Sequence, residues 1–117
     1  MEFMLLIYHN EEQAKSRPDA VKQQIFQEFA AFTQVITKSG KRKAGGPLDF
    51  TPTAATVRVR DGKTMVTDGP FAETKEQLGG YVLIEAKDLD EAISIAARIP
   101  SSKYGSTEVR PVMKMNM

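Results

Sequence analysis

The sequence contains no cysteine and only one histidine. Without cysteine there is no disulfide, no thiol nucleophile and no thiolate metal site. A single histidine cannot build a zinc site, and no acidic spacing resembles a calcium-binding loop. The glycine pairs Gly45-Gly46 and Gly79-Gly80 lack the Gly-Lys-Ser/Thr pattern of a phosphate-binding loop. We therefore expect no metal and no cofactor.

A large charge excess and long apolar runs are also missing. The net charge is +1, which argues against an electrostatic nucleic-acid interface. No window approaches the ~20 apolar residues of a membrane span. The first residues lack the basic start and the length of a signal peptide. These absences predict a cytoplasmic protein that binds neither nucleic acid nor membrane.

The length, 117 residues, predicts one domain over residues 1–117. The apolar content of 41% is enough for a single core. A lone domain of this size still leaves about a third of its unfolded surface exposed. A partner chain would therefore help to stabilise the fold.

Two helices and several strands follow from the patterning. Residues 3–8 form an apolar run with the length of a strand buried on both faces. A helix is predicted from Pro18 to Ser39, with an apolar stripe at 21, 25, 29, 32 and 36. A second helix is predicted after Asp88, an N-cap residue, and before Pro100, with a buried face at 89, 92, 93, 96 and 99. The basic run 41–43 is interpreted as solvated, and residues 44–52 as a loop or an irregular edge strand.

The middle of the chain predicts a hairpin, and two further strands follow it. Residues 55–60 alternate as a half-buried strand should, Asp61-Gly62 is a hairpin turn signal, and 64–68 form the partner strand. Residues 80–85 are a further buried strand, and 107–112 a last strand that Pro111 places at a sheet edge. Residues 113–117 form a tail without a core signal. The order predicts an α+β, ferredoxin-like split β-α-β sandwich with an extra hairpin.

Residues 66–81 concentrate the special residues of the chain. Asp68-Gly69-Pro70-Phe71 joins an acid at a strand end to a turn, and a charged loop then runs to Gly79-Gly80. Loops usually tolerate almost any sequence, so this concentration indicates function.

This stretch resembles the signature of the DGPF-domain proteins within the YCII-related family, and the similarity extends over nearly the whole chain. The family implies a dimeric α+β barrel, in which two sheets pack face to face, and a bacterial protein of mostly unassigned biochemistry. Some members of the family are encoded beside, or fused to, extracytoplasmic-function sigma factors. Broader relatives were proposed to be enzymes that use a His and an Asp, but their His lies by the first helix, where this chain has none.

Asp68 and His9 are the candidate catalytic residues. Asp68 could act as an acid or base if it is partly buried, or it could tie the following turn as a hydrogen-bond acceptor. His9, the only histidine, follows the first strand and is either a base or an ordinary surface histidine. Whether the two residues meet in space stays open.

The candidate ligand-binding residues surround Asp68 in the sequence. Each has a structural alternative: an arginine on a strand can simply reach solvent, the lysine can be solvated or pair with Asp68, and the aromatics can be packing. The candidates are Arg58, Gly69, Pro70, Phe71, Lys75 and Tyr81.

Two classes of function follow. The first is a small-molecule binder or enzyme-like homodimer with a pocket at Asp68 and the 69–78 loop. The second is a non-catalytic regulatory or interaction module linked to sigma-factor signalling. A homodimer is expected in both, because two helices cannot cover both faces of the sheet.

Overall fold

The computed structural model describes residues 1–115, so residues 116 and 117 of the predicted tail lie outside it. The strands are β1 (Glu2–His9), β2 (Arg42–Pro47), β3 (Ala55–Arg60), β4 (Lys63–Asp68), β5 (Gln77–Glu85) and β6 (Ser106–Pro111). The α-helices are α1 (Glu11–Ser16), α2 (Asp19–Lys38) and α3 (Leu89–Ala97). Single 3-10 turns lie at Thr51–Thr53 and Pro100–Lys103.

The main sheet is antiparallel with the strand order β2-β5-β1-β6. β1 and β2 are joined by α2, and β5 lies between them, which is the split β-α-β arrangement. β3 and β4 form a separate two-stranded sheet. The predicted α+β, ferredoxin-like fold with an extra hairpin is confirmed, and β6 lies at the edge of the sheet as Pro111 indicated.

The hydrophobic core lies between one face of the main sheet and the helices α2 and α3. Along β1, Phe3, Leu5 and Ile7 are buried, whereas the residues between them are half-buried. β5 adds Val82 and Ile84 to the same face. The helices complete the core with Phe32 and Ile36 of α2 and Ala92, Ile95 and Ala96 of α3. The alternation follows from the period of two in a strand.

The other face of the main sheet carries apolar and aromatic side chains without a covering layer in the single chain. We call it the open face, formed by Met4, Leu6, Tyr8, Tyr81 and Leu83, which the strand register places side by side. All five are half-buried. Residues 3–8 are therefore covered on one face only within one chain, and burial of the other face stays a prediction that needs a second copy.

The helices differ from the sequence prediction in which residues they bury. In α2, Val21 of the predicted stripe is exposed, and Phe26, which was expected to widen the stripe, is 72% exposed, although its neighbour Ile25 is half-buried. In α3, Ile95 is buried, whereas Leu89 and Ile93 are exposed. Ala92, Ala96 and Ile99 are buried as predicted. The prediction is wrong at Ile93, because Ile93 and Ile95 are equally apolar and only packing chooses between them. No helix within the described residues is long and apolar enough to cross a membrane.

The basic run after α2 is paired with acids rather than simply solvated. Lys41 Nζ lies 3.0 Å from Glu91 Oε1, and Lys43 Nζ lies 3.1 Å from Glu2 Oε2. Arg42 belongs to β2, so the segment predicted as a loop or irregular strand begins as a paired edge strand. These pairs join the edge strand to α3 and to β1.

The first turn of α3 provides a stability test. Asp88 Oδ1 accepts a hydrogen bond from the Glu91 N–H at 2.8 Å, as the predicted N-cap should. Asp88→Ala is expected to lower the free energy of unfolding by about 1 kcal/mol, because the N–H loses its acceptor. Asp90→Ala, one residue further into the helix, is the control and should change it by less than about 0.5 kcal/mol. Equal urea midpoints for the two variants would contradict the capping role.

Candidate functional site

The hairpin β3–β4 stands apart from the main sheet, and we call residues 55–68 the arm. All its residues are exposed except Thr56, which is half-buried, so the half-buried strand predicted from alternation is not found in the single chain. The Cα radius of gyration is 16.2 Å, whereas a compact chain of this length has about 13 Å. The predicted turn is confirmed: Asp61 (φ 53°) and Gly62 (φ 75°) are both left-handed, as a tight hairpin requires.

The arm has two chemically different faces. Residues paired across an antiparallel ladder point to the same side, and the pairs Ala55–Asp68, Val57–Val66 and Val59–Thr64 define the valine face. The opposite, basic face contains Thr56, Arg58, Arg60, Lys63, Met65 and Thr67. Asp68 and Arg58 therefore lie on opposite faces of the arm, so one chain does not bring these two candidates together.

Asp68 lies at the root of the arm, and its carboxylate is free. Among residues 1–115, no hydrogen bond or ion pair involves its side chain. The turn after it is fixed by other groups: the Gly69 N–H donates to the Ala54 carbonyl at 2.7 Å, and Thr56 Oγ1 donates to the Gly69 carbonyl at 2.9 Å. Gly69 has φ 93°, which only glycine adopts easily. In the single chain, therefore, Asp68 does not tie the turn.

The loop after Asp68 has one anchored end and one free end. At the anchored end, Gln77 Nε2 donates to the Thr74 carbonyl at 2.5 Å, and Ser106 Oγ donates to Glu76 Oε1 at 2.8 Å. At the free end, Pro70 is exposed and Phe71 is 81% exposed. The Phe71 ring follows a Gly-Pro turn and, at this exposure, contributes little to the packing of this chain.

His9 lies at the end of β1, beside the anchored end of the loop. The register between β1 and β5 shifts here, from Ile7–Gly80 to Tyr8–Leu78, so that Gly79 has no partner on β1. The His9 ring occupies the space that a side chain at Gly79 would need: a Cβ there would overlap Nε2 and lie 2.8 Å from Cδ2. Bulges of this kind redirect side chains near functional sites. The His9 ring thus packs directly on the backbone of Gly79, and we call this contact the seat of His9.

The surroundings of His9 favour its neutral form. Burial lowers its pKa below the ordinary value of 6.5. Glu11 opposes this shift, Arg17 adds to it, and Glu76 opposes it more weakly. Asp68 is not among the charged groups that act on His9, so the single chain does not arrange the two catalytic candidates as a charge pair.

Glu11 is a buried carboxylate that the sequence reasoning missed. It is 7% exposed, and both its oxygens are satisfied by one residue: the Thr51 N–H donates to Oε2 at 2.8 Å and Thr51 Oγ1 donates to Oε1 at 2.6 Å. Its own N–H donates to Gln77 Oε1 at 2.9 Å. Glu11 belongs to α1, a short helix that was not predicted and that Asn10 caps through the Gln13 N–H at 3.0 Å. Asn10 was the available signal, since a polar residue of this type before two acids favours a helix start.

Glu11 also joins the His9 corner to the arm. Thr51 lies in the 3-10 turn that leads directly into β3, and Gln77 opens β5 after the loop. Asn10 Nδ2 approaches the Lys75 carbonyl at 3.5 Å. The corner formed by residues 9–11 therefore holds both the segment that enters the arm and the segment that leaves it.

The remaining candidates and cavities lie elsewhere. Tyr81 belongs to the open face, opposite Leu6. Lys75 is exposed and has no carboxylate within 4.0 Å among the residues that the structure describes. A cleft of about 450 Å³ lies between α2 and the Pro100–Lys103 turn, and no residue of the 68–78 segment lines it. Within residues 1–115, no group of three or more His, Cys, Asp or Glu residues is placed to hold a metal ion.

Comparison with known proteins identifies a family that matches the chain and a solved structure of similar fold. The model of the YCII-related domain matches residues 1–116. An uncharacterized protein of Rhizobium meliloti is 36% identical over 114 residues, which cover 96% of this chain and 92% of the relative. A solved structure of similar fold is 5-chloro-2-hydroxyhydroquinone dehydrochlorinase from Burkholderia phenoliruptrix, in complex with 2,5-dihydroxybenzoquinone. It is 20% identical, with a TM-score of 0.50 over 97% of this chain and 94% of that chain.

Gly79→Ala tests the seat of His9. The added Cβ must displace the ring toward solvent, so the His9 pKa is expected to rise toward its ordinary value. The wild-type protein should lose stability as the pH falls from about 6.5 to the lower folded pKa, because the unfolded state binds more protons there; the variant should lose this dependence. The single histidine gives one NMR titration curve. Gly46→Ala, where a Cβ meets nothing within 4 Å, is the control and should leave the curve unchanged.

Proposed function

This chain belongs to the YCII-related family, and we propose that it is a small-molecule-binding, enzyme-like homodimer. Its site comprises Asp68 and the 69–78 loop. Two observations carry the proposal. The Asp68 carboxylate at the root of the arm has no hydrogen bond or ion pair among residues 1–115, and the ring of Phe71 in the loop that follows is 81% exposed. Within the described residues, neither side chain has a contact that gives it a structural role in the single chain.

The residues have distinct roles in the proposed site. Asp68 accepts a hydrogen bond or proton from a ligand hydroxyl. Phe71 stacks on an apolar or aromatic ring, while Gly69 and Pro70 hold this ring close to the acid. Lys75 attracts an anionic group of the ligand.

His9 supplies a neutral proton acceptor at the anchored end of the same loop, since burial lowers its pKa. Asp68 and His9 thus stand at the two ends of the 69–76 segment. Tyr81 lies on the open face, so it joins the proposed site only across the contact between two copies. Arg58 lies on the basic face of the arm, opposite to Asp68, and the proposed site does not use it.

Ligands with a hydroxylated ring match this set of groups best. The ring of such a ligand would stack on Phe71, and a hydroxyl on the ring would donate a hydrogen bond to Asp68. The structural neighbour was solved with 2,5-dihydroxybenzoquinone, which makes this compound the natural first probe. The interaction-module alternative, linked to sigma-factor signalling, stays a prediction.

The homodimer is supported by the open face. Met4, Leu6 and Leu83 would leave a contiguous apolar patch in water, together with two tyrosine rings. The same patch on a second copy, related by a two-fold axis, is the simplest cover. Two sheets packed in this way reproduce the dimeric barrel that the family resemblance implies.

Asp68→Asn is the test of the site. The variant is expected to stay folded within about 1 kcal/mol of wild type, because the carboxylate has no partner in the chain. It should lose at least tenfold in affinity for 2,5-dihydroxybenzoquinone by calorimetry, because the acceptor loses its charge. Asp61→Asn, at the tip of the same arm, is the control with the same chemical change. Equal affinity of both variants and wild type would refute the role of Asp68, and no binding to wild type would refute this ligand class.

Leu6→Glu tests the dimer. A charge in the middle of the open face is expected to weaken association by about a hundredfold or more, which corresponds to about 2.7 kcal/mol. The monomer should keep its helical circular dichroism, since Leu6 is not part of the buried core. Thr37→Glu, on the exposed side of α2, should not affect association. Sedimentation equilibrium measures both, and a wild-type protein that is monomeric at micromolar concentration would end the proposal.

A further inference from the structure

The arm presents an apolar surface that its own chain leaves uncovered. Val57, Val59 and Val66 are exposed by 61%, 59% and 64% on the valine face. The opposite, basic face carries Arg58, Arg60 and Lys63, whose charges are well solvated in water. An amphipathic ribbon of this kind resembles a sheet whose covering layer is missing.

The arm also needs support to stay ordered. A two-stranded hairpin alone in water is marginally stable at best. Its hydrogen-bond links to the rest of the chain lie at the root, around Ala54, Thr56 and Gly69. A defined arm therefore requires a surface that packs on the valines.

We propose that the valine face of each arm docks on a second copy of the chain and extends the contact between the two open faces beyond the edge of the sheet. This inference rests on the proposed homodimer and adds the arm to it. Asp68 lies on the valine face at the root, where the arm leaves the body, so the second copy closes the site around it. The site at Asp68 is incomplete in one chain.

The size of the contact supports the second copy as the occupant. With strands about 4.8 Å apart and about 3.3 Å per residue, a four-stranded face six residues long covers about 400 Å². Two such faces bury about 800 Å² together, which is below the ~1,200–2,000 Å² of stable interfaces. Two docked arms, each half as wide as the sheet, raise the total to about 1,500 Å², within that range.

The chemistry of the available surfaces supports the same choice. The valine face carries no cation, and its only charge is Asp68 at the root. The open face, whose contact the docked arms would extend, is likewise uncharged along β1 and β5 at Met4, Leu6, Tyr81 and Leu83. The cleft beside α2 is a poorer partner, because Glu28, Arg98 and Lys103 line it and docking would strip water from their charges.

Two neighbouring residues give a matched pair of variants. Val66 and Met65 are 64% and 52% exposed and lie on opposite faces of the arm. Val66→Lys is expected to raise the dimer dissociation constant by about a hundredfold, because a lysine cannot be buried unpaired. Met65→Lys should change it by less than about threefold, since surface charges have small effects. Val59→Lys, nearer the tip, repeats the test if Val66→Lys does not fold.

The absence of cysteine allows the contact to be assigned to the partner. A spin label on Lys63→Cys at the arm tip, in unlabelled chains mixed with ¹⁵N-labelled wild-type chains, should broaden amide signals of the ¹⁵N chains. A label on Thr37→Cys of α2 is the control and should broaden few. Signals of the ¹⁵N chains can change only through contact between two copies.

The outcomes separate this inference from the proposed function. A monomeric wild type overturns both. A dimer in which Val66→Lys and Met65→Lys dissociate equally, or in which the tip label broadens no more than the α2 label, overturns the arm contact and leaves the dimer standing. A Val66→Lys variant that melts earlier but dimerises normally shows that the arm docks on its own chain, which also overturns the inference. Loss of 2,5-dihydroxybenzoquinone binding in Val66→Lys, with binding kept in Met65→Lys, supports closure of the site by the second copy.

Discussion

The alternation of side chains along β1 and β5 is the constraint on which the structure depends. Every residue that these strands give to the core, such as Leu5 or Val82, is followed by one that points the other way. Two helices can cover only one face of a four-stranded sheet. The sequence nevertheless places apolar residues on both faces, and in the single chain the second face has no covering layer. The open face and the valine face are both apolar surfaces that no other part of the described chain covers.

The candidate site arises from the places where this regular pattern is interrupted. The register shift at Gly79 gives the His9 ring a seat on bare backbone, which no residue with a side chain could offer. The turn at Gly69 does not need the Asp68 side chain, because hydrogen bonds from Thr56 and the backbone hold this turn. Between these two glycines, the loop is fixed at Gln77 and loose at Phe71. A fixed end preserves geometry, and a loose end allows a ligand to enter.

Much of the fold could be predicted because local signals agree with it. The Asp61-Gly62 turn, the Asp88 cap and the apolar runs each have a direct structural meaning, and the resemblance of residues 66–81 led to the correct family. The misses have a common cause, since they concern packing between distant residues. The sequence could not show that Ile95 rather than Ile93 is buried, that Phe26 is exposed, or that the arm stands free. Glu11 escaped notice because its burial depends on Thr51, forty residues away. The site residues stay a prediction, and their grouping could not be read from the sequence: Arg58 and Asp68 point to opposite faces of the arm because side chains alternate along a strand.

The basic face of the arm has a consequence for solubility. In the described residues, the outer edges of β3 and β4 pair with no further strand. Such edges can template the addition of strand after strand, and a ribbon with exposed valines is prone to this. Arg58, Arg60 and Lys63 place like charges where the next ribbon would have to stack, so continued growth is repelled. An exchange of arms about a two-fold axis, by contrast, is complete after two copies. In the proposed dimer, the cations would therefore favour a closed pair over an open-ended fibre.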